Sequence, residues 1–347
     1  MTPRTILYIS PSSRLLGARR SLLQLVTNLD PDRYRPIVAT KPEGDLVTAL
    51  RDAGFPVRPL FMGEWRKAKY FLSRRSRIRE LAAIARDSQV ALIHANEFHS
   101  NPYAIRAARK AGNLPVITHM RLSITPRRIE KYELARARRI VCVSRAASED
   151  FAVWPDREQR VEVVYNGVDL DQFRRRHTRE QSRLSLRLGA DCFVAAQFGL
   201  ISPRKRPHLL LKAATLLRQS LGSPHDFCIL LVGSPGKSDL DYEKDLKEAV
   251  AKEGLRDIVR FVPFTPDVVC LYEACDVNVL VSNDEGFGRT IIEAAALGMP
   301  SVGANVGGIP ELIENGKTGF LIDADDDGTS LADRLQSLAG DPARRIE

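Results

Sequence analysis

Short apolar runs separated by helix-like segments recur along this chain, and their alternation restricts the fold more than any other feature. Runs at 5–9, 36–40, 57–60, 90–94, 115–118, 139–144 and 161–164 are interleaved with helical patterns at 18–28, 44–53, 102–111 and 146–151. Such alternation predicts a parallel sheet covered by helices. A polar, Arg-rich segment at 171–190 interrupts it. The pattern then restarts, with strands expected at 193–198, 228–232, 259–261, 277–281 and 318–322 and helices at 209–219, 242–253, 268–275, 290–297 and 330–338. At 347 residues the chain exceeds one ordinary core. The expectation is therefore an α/β protein of two Rossmann-like domains, 1–170 and 191–347, joined by a linker at 171–190, with a ligand cleft between them.

Residues 276–311 carry the most chemistry. Val277 to Val281 suits a strand buried on both faces, and Thr290 to Leu297 has helix-forming composition, closed by Gly298 and Pro300. Between them the loop from Asn283 to Gly288 holds Glu285, Gly286, Phe287 and Gly288, and the helix holds Glu293. Glycines admit a ligand close to the backbone, and a helix start attracts anions. A carboxylate beside a phosphate site would repel the anion unless it binds something else, and an ionised carboxylate accepts hydrogen bonds from sugar hydroxyls. The stretch thus points to a ligand that joins phosphate to polyol. Lys205, flanked by Arg204 and Arg206 in a loop directly after a strand, is placed to meet phosphate. Read alone, an exposed basic turn explains that loop equally well.

Two strands of the first half end in polar residues, His94-Ala95-Asn96-Glu97 and His119-Met120-Arg121. That edge of an open parallel sheet is where ligands bind. Gly17, in the loop after the first strand, would let backbone approach a ligand, although a plain turn accounts for it too. Residues 65–79 hold seven basic residues interleaved with Trp65, Tyr70, Phe71 and Leu72. This segment fits either an anionic membrane surface or a solvated helix face. Charge is uneven overall, with 34 Lys and Arg against 19 Asp and Glu in residues 1–180 but 18 against 24 in 181–347. Two domains with different partners are expected.

Other signals are weaker. Five scattered cysteines lack metal or redox spacing and read as buried residues of a reducing compartment. No apolar run reaches the length of a membrane span and the first strand begins too early for a signal peptide, so a cytoplasmic chain is expected. Asp323, Asp325 and Asp327 mimic a calcium loop, but Arg334 stands where the twelfth-position Glu is needed. Asp239 and Asp241 sit where acidic residues favour a helix start. Gly286-Phe287-Gly288 lacks the third glycine of a dinucleotide fingerprint, and no nucleic-acid motif is present.

Taken together, these landmarks make the chain similar to the retaining glycosyltransferases of family 4, which have the GT-B architecture. The resemblance runs from the Gly17 loop through Asn166-Gly167-Val168-Asp169 and Pro203-Arg204-Lys205 to Glu285-Gly286-Phe287-Gly288, Glu293, Gly307-Gly308-Ile309-Pro310-Glu311 and Asn315-Gly316. Its most specific part is the pair of glutamates flanking Gly-Phe-Gly. The resemblance implies a UDP- or GDP-sugar donor on the second domain, an acceptor on the first, no other cofactor and no metal. Glu285 would hold the donor sugar, Glu293 the ribose and Lys205 the diphosphate, with Arg204 or Arg206 open as the replacement for a further diphosphate contact. Backbone around Gly286, Phe287, Gly288 and Arg289 would meet the phosphates and sugar. His119 matches a family histidine near the transferred sugar, and Gly17 and Asn96 lie on the acceptor side. The implied reaction moves a hexosyl unit to a glycan or lipid-linked acceptor, as in cell-envelope or polysaccharide synthesis, with peripheral contact to the membrane through 65–79.

Three departures stand out. Leu16, Gly17, Ala18 and Arg19 replace the usual Gly-Gly-Ala-Glu, Leu200 replaces an Arg that would touch the diphosphate, and the chain stops at Glu347 before the usual crossover helix. The alternatives are an epimerase or hydrolase of the same fold, or a non-catalytic membrane- or polyanion-binding protein.

Overall fold

A computed structural model of the chain describes residues 2–221, 226–265 and 267–343. It divides into two compact units, Met1–Gly167 and Val168–Glu347. Residues 344–347, the end of the expected second domain, lie outside the described residues.

The first unit is a seven-stranded sheet of β1 (Arg4–Ile9), β2 (Tyr34–Thr40), β3 (Val57–Pro59), β4 (Val90–Ala95), β5 (Val116–Met120), β6 (Arg139–Cys142) and β7 (Val161–Val163). Its order is β3-β2-β1-β4-β5-β6-β7, every pair parallel. Central strands are apolar on both faces because helices cover both. Leu7, Ile9, Ile93 and Ala95 pack into one core, and Ile6, Tyr8 and Val38 into another. The second unit repeats the design with β8 (Phe193–Phe198), β9 (Phe227–Val232), β10 (Val259–Val262), β11 (Val277–Leu280), β12 (Ser301–Ala304) and β13 (Gly319–Ile322). Its order is β10-β9-β8-β11-β12-β13, again all parallel.

Both sheets reverse their winding once, between β1 and β4 and between β8 and β11. Loops leaving such a pair diverge, so a crevice opens at the carboxyl ends of the strands. Ile9 is paired with Ala95, which brings the Ser10 loop beside Asn96. In the second unit Ala196 is paired with Asn278, which brings the Gly199 loop beside Ser282. Ligand-binding geometry is thereby set by strand order rather than by any local motif.

Two segments differ from their sequence reading. Residues 171–190 are not a free linker but part of the second unit. There the helix Arg179–Ser185 starts in a capping box of Thr178 and Gln181. Arg183 is buried, donating from Nη2 to Asp276 Oδ2 at 2.8 Å and from Nε to the Ala274 carbonyl at 3.2 Å. An arginine in a polar stretch reads as solvated, and only its buried partner 93 positions later reverses that. Residues 71–87 form the long helix Phe71–Asp87, which buries Ile78, Leu81, Ala82 and Ala85. Its many arginines hide that apolar stripe from a periodicity argument. Among the described residues no helix is long and apolar enough to cross a membrane.

Candidate active site

In the second unit the loop after β11 and the turn after β8 meet. The short turn Pro203–Lys205 points Lys205 back over Gly199, and Lys205 Nζ donates to Glu285 Oε2 at 2.5 Å. Ser282 Oγ donates to the same oxygen at 3.3 Å, and Arg204 Nη1 stands 3.5 Å from it. Burial alone would raise the Glu285 carboxyl. The neighbouring Lys205 and Arg204 cations, helped by hydrogen bonds from Lys205 and Ser282, outweigh it and hold the group below the usual carboxylate range. Glu285 is therefore an ionised acceptor at neutral pH.

Arg204 also donates to the Asp284 carbonyl at 2.6 Å, whereas Arg206 is committed elsewhere. Arg206 donates to the carbonyls of Ala324 and Asp326, both at 2.6 Å. Of the two arginines beside Lys205, only Arg204 can stand in for the one missing at Leu200. The Asp326 carboxylate in turn accepts from the backbone of Gly328, Ser330 and Leu331. The acidic stretch that resembles a calcium loop is thus built around a cap on the helix Thr329–Gly340.

Two glycines make the loop after β11 possible. Gly288, at φ +105°, turns the chain into the helix Arg289–Ala296 through a left-handed conformation that side chains disfavour. Gly307 packs directly on the loop, where a Cβ would stand 1.9 Å from the Glu285 carbonyl oxygen. That carbonyl accepts the Gly308 N–H at 3.0 Å. The Gly307-Gly308 pair fixes the backbone of Glu285 while Lys205 fixes its side chain. Phe287 is buried in the loop, and Gly286 precedes it.

Glu293, one helical turn past Arg289, is buried. Its Oε1 accepts from Arg289 Nη2 at 3.2 Å and its Oε2 from the Tyr272 hydroxyl at 3.1 Å. Tyr272 is itself stacked on Phe198 with ring centroids 3.8 Å apart. The two glutamates therefore sit in different settings, Glu285 against cations and Glu293 against a phenol and a single arginine. Tyr272 and Ser282 escaped the sequence reading because neither belongs to a recognisable spacing.

The first unit gathers a second polar group at its own switch point. His119, on β5, and His94, on β4, stack with ring centroids 5.6 Å apart, both buried. Burial and then Arg121 push the His94 ring down to about 3, and the same causes with His94 push His119 well below its ordinary value. Both rings are neutral near pH 7. Arg121 Nη2 lies 3.4 Å from His119 Nδ1, and a guanidinium only donates. The His119 proton therefore resides on Nε2, which is buried with no hydrogen-bond partner among the described residues. That N–H is a donor awaiting an acceptor.

Arg121 organises this group. Its Nη2 donates to Asn96 Oδ1 at 2.6 Å, its Nε to the Asn96 carbonyl at 3.0 Å and its Nη1 to Asn166 Oδ1 at 3.3 Å. Asn96 is fully buried, and its Nδ2 donates to the Ala18 carbonyl at 3.2 Å. With both ends of its amide engaged, Asn96 positions its neighbours rather than presenting itself to a ligand. Gly17 opens the helix Gly17–Thr27, and a Cβ there would meet no atom within 4 Å, so the fold itself does not require glycine. Arg121 was legible only as the residue after a strand, and its role depends on Asn166, 45 positions away.

Among the described residues no group of three or more His, Cys, Asp or Glu side chains is placed to hold a metal ion.

Comparison with known proteins agrees with this geometry. Residues 178–346 match the family model described as glycosyl transferases group 1, and residues 16–172 match glycosyltransferase family 4. A D-inositol 3-phosphate glycosyltransferase of Streptomyces avermitilis is 35% identical over 212 residues, 60% of this chain and 46% of the relative. One from Saccharomonospora viridis is 36% identical over 188 residues, 53% of this chain and 43% of the relative. The chain thus aligns with less than half the length of these curated relatives. Among solved structures, Anabaena HepE in complex with UDP and glucose superposes with a TM-score of 0.85 at 25% identity, covering 98% of this chain and 91% of that one. Sucrose-phosphate synthase from Thermosynechococcus elongatus shares the fold, with a TM-score of 0.79 at 21% identity over 99% of this chain and 91% of its own. With its two parallel Rossmann-like sheets and family matches along nearly its whole length, the chain belongs to the family 4 glycosyltransferases of GT-B fold.

Proposed function

We propose that the protein is a retaining, metal-independent hexosyltransferase that uses a nucleotide-diphosphate sugar and delivers the sugar to a hydroxyl of a glycan or lipid-linked acceptor. The observation that carries this reading is the partly buried contact of Lys205 and Glu285, with Arg204 beside it, at the switch point of the second unit. A carboxylate held ionised by two cations suits a ligand in which sugar hydroxyls adjoin phosphate. The HepE structures with UDP and with UDP-glucose support a uridine nucleotide as the first candidate donor.

In this mechanism Glu285 accepts hydrogen bonds from hydroxyls of the donor sugar, and Glu293 accepts from the ribose. The glycosidic carbon–oxygen bond to the diphosphate breaks, and negative charge grows on the departing phosphate. Lys205 and Arg204 stabilise that charge, which is a transition-state contribution because it increases as the bond lengthens. The acceptor oxygen bonds to the same face of the anomeric carbon, and its proton passes to the leaving diphosphate. His119 contributes an uncharged N–H donor toward the transferred sugar, so it adds no positive charge beside an oxocarbenium-like centre.

A peripheral membrane contact is part of the proposal. Phe71 and Leu72 are 63% and 88% exposed at the start of an Arg-rich helix, an arrangement suited to an anionic lipid surface.

The test is a thermal-shift panel of nucleotide-sugars, followed by product analysis with the best binder, with and without a chelator. Transfer with retained anomeric configuration, undiminished by chelation, is the expected result. Release of free sugar without acceptor would favour a hydrolase instead, an inverted product would overturn retention, and loss of transfer with the chelator would overturn metal independence.

A further inference from the structure

A cavity of about 410 Å³ lies within the first unit, apart from His119 and Asn96. Its volume falls in the range of small-molecule sites, roughly 300–1,000 Å³. Pro11 and Ser12 after β1, Lys41 after β2 and Glu97 after β4 all line it, so it opens at the carboxyl edge of the sheet, next to the switch point. The walls are aromatic and braced. Trp65 meets Tyr103 edge-on at 5.1 Å, with the guanidinium groups of Arg74 and Arg106 over the indole at 4.7 and 4.6 Å. The Tyr103 hydroxyl donates to the Gly63 carbonyl at 3.0 Å, which holds that wall in place.

Charge balance distinguishes this cavity from an ordinary sugar groove. Four cations line it, Arg19, Lys41, Arg66 and Arg128, against two carboxylates, Glu64 and Glu97. Both carboxylates are engaged, Glu97 by Arg19 at 3.2 Å and Glu64 by Arg66 at 3.4 Å and by Lys67 at 2.5 Å. Lys41 and Arg128 are left over. Among the described residues neither forms an ion pair with a carboxylate: Lys41 lies over the Phe61 ring at 5.7 Å, and Arg128 over the Phe98 ring at 5.1 Å and near enough to His99 to disfavour its charged form. Two cations without carboxylate partners, lining an aromatic cavity, attract an anion attached to a body that packs on ring faces.

We infer that this cavity is the acceptor subsite and that the acceptor carries an anionic substituent, a phosphate or a carboxylate, held by Lys41 and Arg128. The acceptor role rests on the transferase reading above; the anion preference rests on the cavity itself. Sugar or polyol carbons pack against the aromatic lining, and the charge selects anionic acceptors over neutral ones.

Trp65 offers a direct readout, because the chain has two tryptophans and Trp154→Phe leaves Trp65 as the sole reporter. In that full-length background, emission is titrated with glucose 6-phosphate, glucuronate and glucose. Saturable quenching is expected with glucose 6-phosphate or glucuronate, at least about tenfold tighter than with glucose. The stronger of the two distinguishes phosphate from carboxylate. Lys41→Ala with Arg128→Ala should weaken that response by roughly tenfold or more while UDP-glucose binding is unchanged, and Lys41→Arg with Arg128→Lys should restore it. Equal binding of glucose, no binding of either anion, or binding indifferent to the alanine pair would overturn the inference. So would a UDP response lost in the alanine pair, which would make the cavity a nucleotide site. If UDP-glucose binds but the anions do not, the cavity inference fails and the transferase reading stands. If the anions bind but no nucleotide-sugar does, the transferase reading fails and with it the acceptor role.

Discussion

Lys205 Nζ lies 2.5 Å from Glu285 Oε2, a contact between loops 80 positions apart that leaves one carboxylate shared by two cations. Glu285→Gln removes the counter-charge and leaves Lys205 and Arg204 facing each other. The unliganded protein should lose about 1–3 kcal/mol of stability, seen as a lower melting temperature. The upward shift produced by UDP should then exceed that of the parent, since the diphosphate replaces the missing charge. Sugar transfer should fall by roughly 10²–10³-fold. An unchanged UDP shift would detach Lys205 from the diphosphate.

Gly307→Ala tests the backbone clamp. A methyl group would stand 1.9 Å from the Glu285 carbonyl oxygen, so the loop has to move. A cost of about 2–4 kcal/mol is expected, with kcat reduced more than the affinity for UDP. Gly17→Ala is the matched control. It enters open space and should leave stability, followed by the melting temperature, within about 0.5 kcal/mol of the parent.

Arg121→Lys keeps the charge but loses the planar fork that holds both oxygens of Asn96 and the amide of Asn166. Stability should fall by about 1–3 kcal/mol and transfer by more than tenfold. Nucleotide affinity should be retained, as Arg121 belongs to the first unit. Parallel loss of UDP binding would contradict that separation.

Neutral His94 and His119 make stability depend on pH. Both rings titrate below their ordinary value in the folded chain, so between about pH 6.5 and 4.5 the unfolded chain binds protons that the native one does not. Stability is therefore fully present above pH 6.5 and declines as pH falls through this window. Each histidine contributes on the order of 1 kcal/mol per pH unit. Melting temperatures of the parent and of a His94→Gln, His119→Gln variant should diverge least at pH 5, where the variant lacks this penalty. A parallel pH course in both would overturn the assignment.

Membrane contact is tested at Leu72 and Arg75 rather than at Arg74. Arg74 packs over Trp65 and donates to the carbonyls of Trp65 and Lys67, so changing it disturbs the fold. Leu72→Glu with Arg75→Glu should release the protein from anionic vesicles and leave its melting temperature nearly unchanged. Retained vesicle binding would place the contact elsewhere.

The alternation of apolar runs and helices, the glycine loop and the two spaced glutamates were legible in the sequence because each depends on neighbours within a turn or a strand. Sequence reading also isolated Lys205 as a phosphate candidate, and with it the resemblance to family 4. It misread 171–190 as a linker, since the burial of Arg183 depends on Asp276. It weighed Trp65 and Tyr70 as surface aromatics, whereas both line a cavity.

What the sequence determined by itself was the kind of sheet and the identity of the reactive loops, for side-chain periodicity and glycine are local properties of the chain. Which loops meet was decided by strand order alone. Pairing β8 with β11 sets Lys205 on Glu285, and pairing β1 with β4 and β4 with β5 gathers His94, Asn96, His119 and Arg121. Ionisation followed from those meetings: the Lys205 and Arg204 cations keep Glu285 charged against its burial, while burial and the neighbouring Arg121 keep the two histidines neutral.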